Sequence, residues 1–170
     1  ELQAKAIRLR DDSEFFARNC LKIRTKSGAV VPFRLNRAQK HLHARLEAQK
    51  AKTGRVRAII VKGRQEGCST FIQARYYKRL CHSRRALRAF ILTHEQPATD
   101  NLFGMAQRFY EHHPPSLGKP PLLKGNAKEL RFAHNDCGYQ VSTAGTKETG
   151  RSATFQLFHG SEVAFWPNAE

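Results

Sequence analysis

The chain has 170 residues, 40% of them hydrophobic, with 30 Lys and Arg against 14 Asp and Glu, a net charge of +16. That length makes one domain with a real core, and the spread of apolar residues excludes a disordered chain. No run of 18 apolar residues is present to span a membrane, and Glu1-Leu2-Gln3-Ala4-Lys5 lacks the apolar centre of a signal peptide. The start without Met points to a processed chain or a fragment. An excess of this size calls for a polyanionic partner. Nucleic acid comes before a membrane surface, because the basic residues are not confined to one amphipathic helix. The plain alternative is a basic, soluble surface.

In chain order, residues 1–19 read as one or two charged helices. Leu21 to Phe33 reads as a hairpin, with Lys22–Thr25 and Val30–Phe33 flanking a Ser27-Gly28 turn. Asn36 caps a helix that carries Ala38, Leu42 and Leu46 on one face. A basic linker, Lys50 to Arg57, precedes Val56–Val61, a continuous apolar run of the kind that forms a strand buried on both faces. Ser69–Cys81 is the next helix, with Ile72, Tyr76 and Leu80 inward, and Ala89–Leu92 a second buried strand. Pro97 opens a helix with an apolar stripe of Leu102, Phe103, Ala106, Phe109 and Tyr110. Residues 113–126 hold four prolines and two glycines and read as a loop. Glu129–Ala133 and Gly138–Ser142 form a hairpin over Asn135-Asp136, and Thr154–His159 is a third buried strand.

Alternating strands and helices imply an α/β fold with parallel central strands. Ligands in such sheets gather at the carboxyl ends of the strands. Lys62, Thr93 and Glu162 stand just past those ends. Cys20, Cys68, Cys81 and Cys137 have no Cys-x-x-Cys spacing and read as free thiols. His134 and Cys137, with His112 and His113, form at most a zinc half-site; surface histidines around a hairpin are the favoured reading.

The segment Val61-Lys62-Gly63-Arg64-Gln65-Glu66-Gly67-Cys68-Ser69-Thr70 has the strand–loop–helix order that cradles a phosphate. Gly63 and Gly67 allow tight turns, and the helix start offers free amides and a positive dipole end. Lys62 adds a charge; Ser69 or Thr70 can offer a hydroxyl to Mg²⁺. The usual pattern has Lys before the Ser, where Cys68 stands. An ordinary strand-to-helix turn is the bland alternative. Glu162 fits a general base or a solvent-facing Glu. Gln39 fits adenine recognition through its amide, or a capping pair with Asn36. Arg64 suits charge on a γ-phosphate, or solvent.

These residues resemble the ATPase domain of phage terminase large subunits, the DNA-packaging motors. The blocks are Arg64-Gln65-x-Gly67-x-Ser69, then Pro32-Phe33-Arg34-Leu35-Asn36-Arg37-Ala38-Gln39 upstream and Phe158-His159-Gly160-Ser161-Glu162-Val163-Ala164-Phe165-Trp166 downstream. The resemblance covers roughly residues 14–170. It implies a P-loop NTPase fold of the ASCE type: a three-layer sandwich with a central, mostly parallel sheet, incomplete at its C-terminal side. Residues 1–53 become the adenine-side region and 54–170 the P-loop core, without the C-terminal nuclease domain. It implies ATP and Mg²⁺ at Gln39, Lys62, Gly63, Arg64, Gln65, Gly67, Cys68, Ser69 and Thr70. Lys62, Arg64 and Glu162 become the catalytic groups. Ser69, and Ser161 through a water, would hold the metal. Arg151 is a candidate to act on a neighbouring subunit's site. Double-stranded DNA, a homo-oligomeric ring on a portal protein, the small terminase subunit and the host-cell cytoplasm are the implied partners and place. Two departures stand out: Ser161 replaces the family's Asp, and Glu66 puts a carboxylate inside the phosphate loop. A basic nucleic-acid-binding module without hydrolysis, and a helicase-like translocase, are the competing readings.

Overall fold

The computed structural model describes residues 2–63, 65–126, 128–145 and 154–167. Two short helices, α1 (Leu2–Asp11) and α2 (Ser13–Cys20), lead into a small hairpin of β1 (Lys22–Arg24) and β2 (Val30–Pro32). Asp12 caps α2 by accepting from the Phe15 amide. Next come α3 (Arg37–Thr53), α4 (Cys68–Cys81), β3 (Arg88–Thr93) and α5 (Gln96–His112). After α5 lie β4 (Leu122–Gly125), β5 (Glu129–Phe132), β6 (Gly138–Thr143) and β7 (Leu157–Gly160).

These last strands form a five-stranded sheet with β3 in the order β4-β5-β6-β3-β7. β3 pairs in parallel with β6 and β7, while β4–β5 and β5–β6 are antiparallel. The protein is therefore α/β with a mixed sheet; its parallel part is the three strands centred on β3. β4 lies inside the segment read from sequence as loop: its prolines precede it, and its backbone bonds are supplied by β5.

Strand alternation divides the sheet into two faces. Ala89, Tyr139 and Leu157 lie in one row, and Ile91 and Val141 in the next. They join Tyr77, Leu80, Phe103, Phe109 and Phe132 in the core. Phe90 points to the other face and stacks on Phe155 and Phe158. α4 is buried nearly all round, and Tyr77, not Tyr76, is its fully buried aromatic.

Val56–Val61 is not a strand. The segment is extended but unpaired, and Ile59 and Val61 are 95% and 96% exposed. Two features explain this. Gln49 on α3 holds Arg57 at both its amide and its carbonyl, which ties the start of the run to α3. The outer edge of β7 is also engaged. The Ser161 amide donates to Leu92, so alternation turns the Phe158 carbonyl outward, where Tyr76 donates its hydroxyl to it at 2.6 Å. β7 is thus an edge strand with Phe158 half-exposed, shorter than the buried strand expected over Thr154–His159.

Candidate functional site

α3 begins with a full capping box: Asn36 accepts from the Gln39 amide, and Gln39 Oε1 accepts from the Asn36 amide. Both side chains then reach the loop before α4. Gln39 Nε2 donates to the Gly67 carbonyl at 2.8 Å, and Asn36 Nδ2 to the Glu66 carbonyl at 3.2 Å. Gln39 is only 4% exposed. Its amide completes the capping box expected with Asn36 and also anchors the loop at Gly67.

Gly67 takes φ +71°, and a Cβ there would stand 2.6 Å from Gln39 Nε2. That backbone favours glycine, and any Cβ would displace the end of the Gln39 side chain. Gln65 also has a positive φ, of 63°. Gly67 brings no side-chain cap to α4, so the first-turn amides at Cys68, Ser69 and Thr70 have no partner from within the helix or its cap. The positive end of the α4 dipole coincides with them.

The other loop side chains are placed as follows. Lys62 is exposed and donates to its neighbour Gly63 at 3.3 Å. Cys68 is buried; desolvation pushes its thiol pKa up, although the Lys62 ammonium pulls the other way. It is a packed thiol with no charge to offer a phosphate. Thr70 turns inward and donates to the Met105 sulfur, which leaves Ser69 as the hydroxyl of the first turn. The repulsion between a carboxylate and phosphate would turn Glu66 outward, but its carboxylate lies 3.7 Å from where a Gly63 Cβ would be, across the loop. Arg64 and Arg151 lie outside the described residues.

At the carboxyl ends of β3 and β7 a second cluster forms. Glu162 adopts the left-handed conformation, φ 54° and ψ 45°, just past β7. Its Oε2 is 3.1 Å from His94 Nδ1, and His94 Nε2 is 3.3 Å from Glu95 Oε1. Phe165 packs on the imidazole. The turn is fixed by the Trp166 indole donating to the Ser161 carbonyl, and by Gly160, where a Cβ would meet Val163 and Trp166 at 3.0–3.1 Å. Sequence reasoning missed His94, although its position after a parallel strand was a usable signal. α4 runs back against β3, so its N-terminus lies toward the same end of the sheet as His94 and Glu162.

Protein donors for a metal are few. Among the described residues no group of three His, Cys, Asp or Glu could hold an ion. Ser69 and Ser161 supply hydroxyls only. That set suits a Mg²⁺ held mainly by phosphate oxygens and water, not an all-protein cage. The zinc half-site dissolves into structural contacts. His113 Nε2 donates to Leu117 while Nδ1 accepts from the Tyr77 hydroxyl, His134 Nε2 donates to Leu80, and the Cys137 thiol donates to Arg85. Among the described residues no helix is long and apolar enough to cross a membrane. This chain matches no protein-family model, and the search of curated proteins found no match.

Proposed function

We propose that this chain binds Mg·ATP at the Lys62–Thr70 loop and belongs to an ATPase that moves double-stranded DNA, a P-loop domain of the terminase type. The observation that carries the reading is the uncapped N-terminus of α4, opened by Gly67 and turned to the sheet end that holds Glu162. First-turn amides and Lys62 bind phosphate oxygens. Ser69, with Ser161 through a water, would hold Mg²⁺, which offsets phosphate charge. Glu162 accepts the proton of the water that attacks the γ-phosphorus. In this reading the three-layer fold, a ring on a portal protein, a small-subunit partner and a host-cytoplasm setting follow from the same resemblance.

A second reading is a DNA-binding module that has lost hydrolysis. Cys68, a buried thiol in the place of a phosphate-binding lysine, favours it, as does Ser161 in the place of an acid. Thermal melting separates the two. ATP with Mg²⁺ at ten times its dissociation constant stabilises a binding-competent fold by about 1.4 kcal/mol. Lys62→Ala removes most of that shift, while Lys50→Ala leaves it. No shift with millimolar nucleotide sinks the ATPase reading.

A further inference from the structure

One helix face collects cations with no carboxylate beside them among the described residues. Arg37, Arg45 and Lys52 are exposed and spaced along a single side of α3, with the exposed His41 between them. They line a cleft of about 1190 Å³ between α3 and the extended residues 58–63. Lys62 stands on the opposite wall, Leu42, Leu46, Ile59, Ile60 and Val61 are among the apolar residues that line it, and Glu66 is the single acidic one among the described residues. Some basic side chains elsewhere are ion-paired, Arg75 with Glu47, Arg88 and Arg131 with Asp136, Lys40 with Glu14 and Lys124 with Glu129; what sets the α3 group apart is that its members share one wall of a cleft. Among the described residues no carboxylate stands within ion-pair distance of Arg37, Arg45, Lys52 or Lys62.

We infer that the α3 cleft is where the chain grips the sugar–phosphate backbone of a DNA duplex. From Arg37 to Lys52 the stripe runs about 22 Å at 1.5 Å per residue. That is the axial length of about six phosphates on one strand. Among the described residues no Phe, Tyr or Trp lines the cleft, so they offer a single strand no platform for its bases. Contacts through guanidinium and ammonium groups to phosphates carry no sequence information. The inference rests on the reading that DNA is the partner; because Lys62, Gly63, Glu66 and Cys68 line the cleft and also belong to the proposed nucleotide loop, the tested substitutions are confined to α3.

The test is fluorescence anisotropy with a blunt 30-base-pair duplex of mixed sequence across a salt series. The variants are Arg37→Gln/Arg45→Gln/Lys52→Gln and a control of equal charge loss, Lys26→Gln/Arg84→Gln/Arg85→Gln. With three phosphate contacts removed, the slope of log affinity against log salt falls by about 2.7, and affinity at 0.1 M salt drops by more than about a hundredfold. The control triple loses less than about tenfold. Circular dichroism melts, matched to the wild type, show that both triples fold; single Arg45→Gln, with a slope change of about 0.9, serves if the first does not. Equal losses in the two triples place DNA elsewhere or nowhere in particular and overturn the inference. Tighter binding to a single strand, or to duplex RNA, than to the DNA duplex also overturns it. No DNA binding by the wild type removes both the site and the DNA partner. A nucleotide-melting failure alongside an α3-specific DNA loss removes only the ATPase reading.

Discussion

Replacing Gly67 by alanine probes the join between α3 and the loop before α4. The residue sits at φ +71°, where a Cβ costs about 1–2 kcal/mol. That Cβ would also stand 2.6 Å from Gln39 Nε2, too close to keep, so the end of the buried Gln39 side chain must shift. The bond from Nε2 to the Gly67 carbonyl at 2.8 Å is then lost, for about 0.5–1.5 kcal/mol more. The expected total is about 2–3 kcal/mol. Urea unfolding reads it as a midpoint lowered by about 1 M with an unchanged slope. A thermodynamic cycle sharpens the test. In a Gln39→Ala background the clash and the bond are already gone, so the same glycine substitution costs only its backbone share, and the two changes couple by about 1 kcal/mol. Stability of Gly67→Ala within about 0.5 kcal/mol of the wild type, or full additivity with Gln39→Ala, would refute the reasoning.

Three more outcomes follow from the structure. Gln73 is fully buried, and neither end of its amide is bonded among the described residues, so Gln73→Met raises stability by about 1 kcal/mol and the melting temperature by about 2–4 °C; a fall shows that the amide has a partner in solution. Burial beside Tyr77 lowers the His113 pKa from 6.5 to about 4, so the unfolded chain takes up its proton first and stability, complete above about pH 6.5, is lost as pH falls toward 4. At pH 5 this one group removes about 2 kcal/mol, and His113→Gln flattens that part of the profile measured by urea midpoints. Glu162→Gln leaves ATP binding nearly intact and lowers turnover at least about a hundredfold; loss of binding with the fold intact makes Glu162 a ligand and not a base.

What the sequence by itself determined is local. The Asn36 cap with its Gln39 partner, the Ser27-Gly28 turn, the turn at Asn135-Asp136 with both residues at positive φ, and the apolar stripe of α5 were all legible. Each depends on residues within one or two turns of chain, so residue type and spacing suffice. Tertiary structure decided the rest. Val56–Val61 has every local mark of a buried strand, but a strand exists only where an edge accepts it. The edges of β3 are taken by β6 and β7, Tyr76 engages the outer side of β7, and Gln49 holds the run against α3. β4, in a proline-rich stretch with no strand pattern, exists because β5 offers it partners. The same holds for the site. Gln39 caps its own helix through Oε1, but the partner of its Nε2, the Gly67 carbonyl 28 residues away, is brought there only by the fold. His94 meets Glu162 only because β3 and β7 run side by side in parallel, and no periodicity within either segment encodes a register between strands separated by more than 60 residues.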